Sequence, residues 1–242
     1  MAQRRDAAPV PVLQCRDCAT RRSAEWRVLS DPDVERLSRA KLTGTHAAGA
    51  VVFKQDSPCE GIHCLAAGSL MLRKRDARGH AVLVGLVAEG RTVGYRSYYN
   101  NHWHAEQAET LEPSTICLVP SATVQALLAA NPALGDAFSL SLADDLKRIE
   151  QALLDSVARP LRARIALLLQ ALLERFGEAD EAGRIELRLP FTREEIAGLL
   201  AVQRETVTRA LNAMQADGVL QISGRTLLIH DLDQLLDELE RE

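Results

Sequence analysis

Residues 191–217, "FTREEIAGLLAVQRETVTRALNAMQAD", leave the chain around them little freedom. Thr192 and Glu195 stand at the N-cap-to-N3 spacing of a capping box, just ahead of an apolar run. Ile196, Leu199 and Leu200 form the apolar face of the short helix that this box would start. The pattern breaks at Ala201–Val202. A second helix then carries Val207, Ala210, Leu211 and Met214 on its inner side, and Gly218 ends it. The next segment, "VLQISGRTLLI", alternates and turns at Ser223–Gly224, which predicts a small hairpin. Helix, tight turn, helix and hairpin in this order make a winged helix-turn-helix.

The second helix turns Gln203, Arg204, Glu205, Thr208 and Arg209 outward. These residues occupy its start and one exposed face, where a recognition helix meets base edges in the major groove. Arginine can grip guanine O6 and N7 with two hydrogen bonds, and glutamate can accept from cytosine N4. Thr192, at the start of the first helix, is counted with them as a DNA-facing residue. A solvated face with helix-stabilising charges would explain the charges alone. It would not explain the capping box, the short break and the hairpin together.

The chain has 242 residues, room for one large domain or two smaller ones, and its hydrophobic fraction of 47% supports a proper core. A net charge of −4 argues against a protein that coats nucleic acid by charge alone, so binding must come from a local surface. The start, "MAQRRDAAPVPVL", lacks the apolar run of a signal peptide, and no segment approaches the ~20 apolar residues of a membrane span. A cytoplasmic protein with reduced thiols and no membrane partner is expected. The five cysteines, Cys15, Cys18, Cys59, Cys64 and Cys117, are then candidates for metal or redox chemistry.

Residues 1–12 read as disordered, and residues 24–42 carry a weak helical pattern through Trp26, Val28, Leu29, Val34, Leu37 and Leu42. From about 50 to 120, short apolar runs alternate with turn signals such as "KQDSP", "DARGH" and "AEGR", which predicts a compact all-β unit. Helix begins near Ser121. Past Pro132, the residues Leu134, Phe138, Leu142, Leu146, Ile149, Leu153 and Val157 fall in steps of four and three on one helical stripe. Such a narrow seam suits pairing of two helices, although it could also pack on the chain's own β unit. Pro160 opens a further helix that stops at Gly177, and the polar stretch "EADEAGR" reads as a connection.

The pair of segments "TREEIAGLLAV" and "RETVTRAL" resembles the DNA-binding domain of the CRP/FNR superfamily of bacterial transcription regulators. The resemblance extends over about residues 13–235. It implies an α+β fold: an N-terminal eight-stranded β-roll, a jelly roll of the cyclic-nucleotide-binding kind, then a long dimerisation helix and a C-terminal winged helix-turn-helix. The implied divisions are a sensor domain over 13–130 with its N-terminal cysteine segment, a dimerisation helix over 131–158, and a DNA-binding domain over 159–242. The implied molecule is no enzyme. It is a homodimer, joined through Leu142, Leu146, Ile149 and Leu153, that binds double-stranded DNA and works with RNA polymerase. Arg204, Glu205 and Arg209 match the base-reading set of the cyclic-AMP receptor branch, which implies an inverted repeat of TGTGA-like half-sites.

The resemblance to that branch stops at the recognition helix. Its nucleotide pocket places a glutamate after a glycine, then an arginine for the phosphate. Here Tyr95 follows Gly94, and no arginine stands near His104–Ala105. A phosphodiester without its arginine loses its main charge partner, so cyclic AMP is not expected to bind. The fumarate–nitrate branch instead holds a four-iron, four-sulfur cluster. Cys15 and Cys18 match its Cys-x-x-Cys pair, and Cys117 matches its β-roll ligand. Its third cysteine falls on Ala24, which cannot ligate iron. The resemblance therefore implies iron–sulfur ligation by Cys15, Cys18 and Cys117, with Cys64 or Cys59 as a fourth ligand outside the family pattern. Haem held by His102, His104 or the His63–Cys64 pair is another option, though "NNHWH" has turn composition. A thiol switch and plain structural cysteines stay open as well. As whole-protein alternatives, a thiol-based redox protein lacks a βαβ pattern and a catalytic set, and a winged-helix protein-interaction module without specific DNA binding would be favoured if a purified dimer ignored DNA while Arg204 and Arg209 stayed exposed.

Overall fold

A computed structural model describes residues 14–77, 81–180 and 184–240. Residues 1–12 and the tip of the "DARGH" turn lie outside the described residues. The chain divides into two compact units, one over residues 1–78 and 84–145 and one over 79–83 and 146–242.

The first unit opens with α1 (Ala19–Ser23), a 3₁₀ turn (Glu25–Val28) and α2 (Asp31–Ala40). Eight strands follow: β1 (Leu42–His46), β2 (Val51–Phe53), β3 (Gly61–Ala67), β4 (Ser69–Arg75), β5 (Ala81–Ala88), β6 (Thr92–Val93), β7 (Gln107–Thr110) and β8 (Ser114–Pro120). The short α3 (Tyr95–Tyr99) interrupts them after β6. They form two four-stranded sheets, ordered β1-β8-β3-β6 and β2-β7-β4-β5. This is the expected β-roll.

The pattern through residues 24–42 is not one helix. Ser30-Asp31-Pro32 starts a new helix, since proline is favoured in the first turn and breaks what precedes it. Leu42 belongs to β1 and is exposed.

Period-two alternation along β3 and β8 builds two cores from one sheet. Leu65 and Ile116 point into the roll, where they meet Phe53, Leu70, Leu72, Val93 and Ala108. Ile62 and Val119 point the other way, beneath α1, the 3₁₀ turn and α2. Trp26 is the centre of this outer core, wholly buried and edge-on to Phe138 at 5.3 Å between ring centroids. Burying each such side chain contributes about 1.5–3 kcal/mol.

Helix α4 (Ser121–Ala130) leads to α5 (Pro132–Ala158), 27 residues long. The expected stripe on α5 divides. Leu134 and Phe138 are buried in the outer core and Leu142 packs beside it. Further on, Leu146, Ile149, Leu153 and Val157 are 57%, 52%, 66% and 82% exposed. The first half of the stripe therefore packs on the chain's own β unit, and the second half is left exposed.

One carboxylate ties the 3₁₀ turn to α5. Glu25 is buried and accepts hydrogen bonds from the hydroxyls of Thr92 and Ser141, the latter at 2.6 Å.

In the second unit, α6 (Leu161–Phe176) is followed by β9 (Gly177–Ala179), β10 (Ile185–Arg188), α7 (Arg193–Leu199), α8 (Arg204–Ala216), β11 (Gln221–Ser223), β12 (Thr226–Ile229) and α9 (Leu232–Asp237). The wing is a four-stranded sheet, β11-β12-β10-β9, rather than a lone hairpin. The polar stretch after Gly177 therefore contributes a strand. Gly224, at φ +61°, makes the tight turn between β11 and β12. Among the described residues, no single helix is long and apolar enough to cross a membrane.

Candidate functional site

The capping box forms as expected. The Thr192 hydroxyl accepts from the Glu195 N–H at 3.2 Å, and the Glu195 carboxylate accepts from the Thr192 N–H at 2.7 Å. Such caps are worth about 1 kcal/mol. Thr192 thereby serves the fold of α7. Leu200 ends α7, and Ala201 takes φ +50°, a left-handed turn that costs a non-glycine residue about 1–2 kcal/mol. The turn swings the chain into α8. Val207, Leu211 and Met214 are buried, while Gln203, Arg204, Glu205, Thr208 and Arg209 are exposed. Arg204 and Glu205 occupy the first turn, with Thr208 and Arg209 one turn on, so the four lie on one exposed surface. The Thr208 hydroxyl donates to the Arg204 carbonyl at 3.0 Å.

An ion network absent from the sequence reading braces this unit. Arg162 of α6 donates to both carboxylate oxygens of buried Glu238, at 2.7 and 2.6 Å, and to Asp217 at 2.6 Å. Glu238 follows α9, a six-residue helix too short to stand out from sequence periodicity.

In the first unit, four of the five cysteines line one pocket. Cys15 and Cys18 enter from the N-terminal segment, and Cys64 and Cys117 from the outer face of the sheet. Ala24, Trp26, Leu37 and Val119 give the pocket an apolar wall, and Arg21 and Lys41 bring cations to it. Cys64 and Cys117 are direct partners across the antiparallel β3–β8 ladder. Their side chains therefore share a face, on the same parity as Ile62 and Val119. Cys117 also meets Thr43 Oγ1 at 3.4 Å and Lys41 Nζ at 3.7 Å. The N-terminal wall is held by the Cys15 N–H donating to Ser38 Oγ at 3.2 Å, and by Arg21 Nε donating to the Cys15 carbonyl at 2.8 Å.

Burial raises the Cys15 thiol above its ordinary pKa against the pull of Lys41, and burial raises Cys64 well above it. These are protonated soft donors, slow nucleophiles until something displaces their protons. Cys59 lies outside the pocket, its thiol donating to the Gly61 carbonyl at 3.2 Å. Among the described residues, no three His, Cys, Asp or Glu side chains converge closely enough to hold a single metal ion.

The roll interior holds a second polar feature. His63 and His104 are buried, their ring centroids are 6.4 Å apart, and Nδ1 of each has no hydrogen-bond partner. Phe53 stacks on His104 at 3.8 Å. His102 and Trp103 are exposed on the turn before it, so the histidines of "NNHWH" do not face one pocket. Tyr95 is buried and its hydroxyl donates to Asp145. Arg96 is engaged by Glu106 at 2.9 Å and Asp145 at 3.9 Å.

Burial lowers the pKa of both buried imidazoles to about 4, and for His63 the neighbouring His104 and His46 add to the effect. Above the ordinary histidine value of 6.5 both states are neutral and nothing is lost. Between 6.5 and 4 the unfolded chain takes up protons that the folded chain refuses, so stability falls as pH falls through this window. At pH 5 the loss is about 2 kcal/mol per histidine. Urea midpoints of the β-roll should drop between pH 7 and pH 5, and His104→Gln should remove about half of the drop. A wild-type midpoint unchanged by pH would show that these rings are not held neutral.

Residues 163–238 match the family model of the Crp-like helix-turn-helix domain, and residues 45–131 that of the cyclic nucleotide-binding domain, together more than half of the chain. The fumarate and nitrate reduction regulatory protein of Salmonella typhi is 23% identical over 224 residues, spanning 92% of this chain and 89% of its own. The anaerobic regulatory protein of Pasteurella multocida is 22% identical over 226 residues, 93% of this chain and 82% of its own. In fold, the chain is similar to a transcriptional regulator of the crp/fnr family from Eubacterium rectale, with a TM-score of 0.76 at 16% identity over 89% of this chain and 97% of that one. With a cyclic nucleotide-binding fold, a long helix and a Crp-like helix-turn-helix in that order, this chain belongs to the CRP/FNR family of DNA-binding transcription regulators, which are not enzymes.

Proposed function

We propose that the protein is a homodimeric regulator that reads an inverted repeat of TGTGA-like half-sites under a redox, oxygen or gas signal. Residues 13–130 are assigned to sensing, 131–158 to dimerisation and 159–242 to DNA. The observation that carries the signal is the gathering of Cys15, Cys18, Cys64 and Cys117 around one pocket in the sensing unit. The names of two relatives, one for fumarate and nitrate reduction and one for anaerobic regulation, support a redox cue. Localisation in the cytoplasm, beside RNA polymerase, belongs to the same proposal.

The pocket suits an iron–sulfur cluster by its donor chemistry. Four soft thiols ring it, and the thiols need not converge on one point, because a cluster offers separate irons at its corners. The indole Nε1 of Trp26 is buried without a partner at the pocket wall. Arg21 and Lys41 offset the negative charge that thiolate ligands bring. A bound cluster supplies a centre whose charge and integrity respond to oxidants. The protein's part is to exclude water with Ala24, Trp26, Leu37 and Val119, and to hold the donors on two walls. Haem finds no comparable ligand set at His102, which is exposed.

Cyclic AMP is outside this proposal. Tyr95 and Arg96 are turned to Asp145 and Glu106, so neither offers the ribose or phosphate contact that such a ligand needs.

The test is a selection from random DNA with protein prepared without oxygen, followed by affinity measurements on the selected site before and after exposure to air. Binding should weaken in air, and calorimetric titration with cyclic AMP should give no saturable heat. Air-insensitive binding, or a saturable cyclic-AMP site, would overturn the assignment of the signal.

A further inference from the structure

We propose that Cys64 is the fourth cluster ligand, completing a set with Cys15, Cys18 and Cys117 in the role that Ala24 cannot fill. The inference rests on the cluster reading of the pocket and goes beyond it by naming a ligand from strand β3. Its first support is register. Cys64 and Cys117 are opposite each other in the β3–β8 ladder, and opposed residues of an antiparallel pair lie ~4.5–5.5 Å apart at Cα, on one face. One iron-facing thiol at Cys117 therefore brings a second with it, with no change of backbone.

The second support is the position of Ala24. It is buried in the same pocket, so the family spacing leads to a methyl group on the N-terminal wall. The missing donor is made up from the facing wall. The third is Trp26. Its indole N–H is wholly buried without a partner at the wall of the same pocket. A coordinated sulfur at Cys64 would supply the acceptor that this N–H lacks, and leaving such a donor unpaired costs about 1–3 kcal/mol. Cys59 has none of these relations. Its thiol already donates to the Gly61 carbonyl, away from the pocket.

Loading can be done by ligand exchange with a synthetic four-iron, four-sulfide cluster that carries small-molecule thiolates. Each iron–thiolate bond to the small ligand breaks as one to a cysteine Sγ forms. The cysteine proton leaves on the displaced thiol, and no electron changes hands.

The experiment loads wild type, Cys64→Ser, Cys64→Ala and Cys59→Ala under argon, then measures iron, sulfide and visible absorbance after desalting. Wild type and Cys59→Ala should each hold about four irons and four sulfides per chain. Both Cys64 variants should keep the far-ultraviolet dichroism of the wild type and retain cluster at least roughly tenfold less well against a chelator. Serine preserves the volume of the side chain, so its result stands even if alanine disturbs the ladder. If the Cys64 variants hold the cluster as firmly as wild type, Cys64 is not a ligand, and the three-cysteine cluster reading survives. A wild type that takes up neither iron nor sulfide would overturn the cluster reading and this inference with it. So would one zinc per chain without sulfide.

Discussion

Ile149→Glu is expected to turn the proposed dimer into a monomer and weaken operator binding by roughly a hundredfold or more. Leu146, Ile149, Leu153 and Val157 run down α5 as an apolar row that the chain itself leaves uncovered. Their steps of three and four make a seam that a second copy of the same helix can close about a two-fold axis. Ile149 lies in the middle of that seam, so a glutamate there would meet its own copy. Burying two like charges without partners costs several kcal/mol, more than most such seams can absorb. The effect on DNA exceeds the effect on any single contact, since two linked half-site readers gain avidity that one reader lacks. Light scattering at micromolar concentration and operator titration would measure both. A wild type that is monomeric at that concentration, with and without DNA, would remove the basis for the proposal.

Arg209→Ala should cost about 1–3 kcal/mol per half-site, hence about twice that for a dimer on an inverted repeat, and should blur one guanine of the motif. The geometry behind this is local. The capping box fixes the start of α7, Ala201 makes the turn, and α8 presents Arg204, Glu205 and Arg209 on one exposed surface. A phosphate contact would behave differently. Its loss would weaken every sequence alike and flatten the dependence on salt. Selection from random DNA with both proteins separates the two. Equal motifs of equal sharpness would show that Arg209 reads no base.

Legibility in the sequence followed the range of the forces involved. The helix-turn-helix was readable residue by residue because Thr192, Glu195, Ala201 and Gly218 act on neighbours a few positions away. The β-roll was readable as a class, through alternation and turn residues, although its pairing was not. The placing of Cys64 beside Cys117 depends on two strands that meet only when the sheet closes, and no spacing along the chain encodes it. Sequence alone left Cys64 and Cys59 equivalent as a fourth ligand. The strand β9 and the helix α9 escaped for another reason. Three and six residues are too few to show a period, and their formation is decided by the tertiary core they join. Residues 24–42 misled in the opposite direction, since leucines and valines of a turn, a helix and a strand happened to fall at helical intervals.

The hydrogen bond from Ser141 to Glu25 places α5 in mechanical series with the turn that carries Ala24 and Trp26, two walls of the thiol pocket. Such a link works in both directions. Whatever factor a filled pocket applies to closure of the helical seam, closure of the seam must apply to filling of the pocket, because the two free energies belong to one thermodynamic cycle. If the pocket holds a cluster and the seam closes a dimer, as proposed above, occupancy of the pocket becomes a function of how much protein the cell contains. A sparse, dissociated population and an abundant, paired one would answer the same external stimulus at different thresholds.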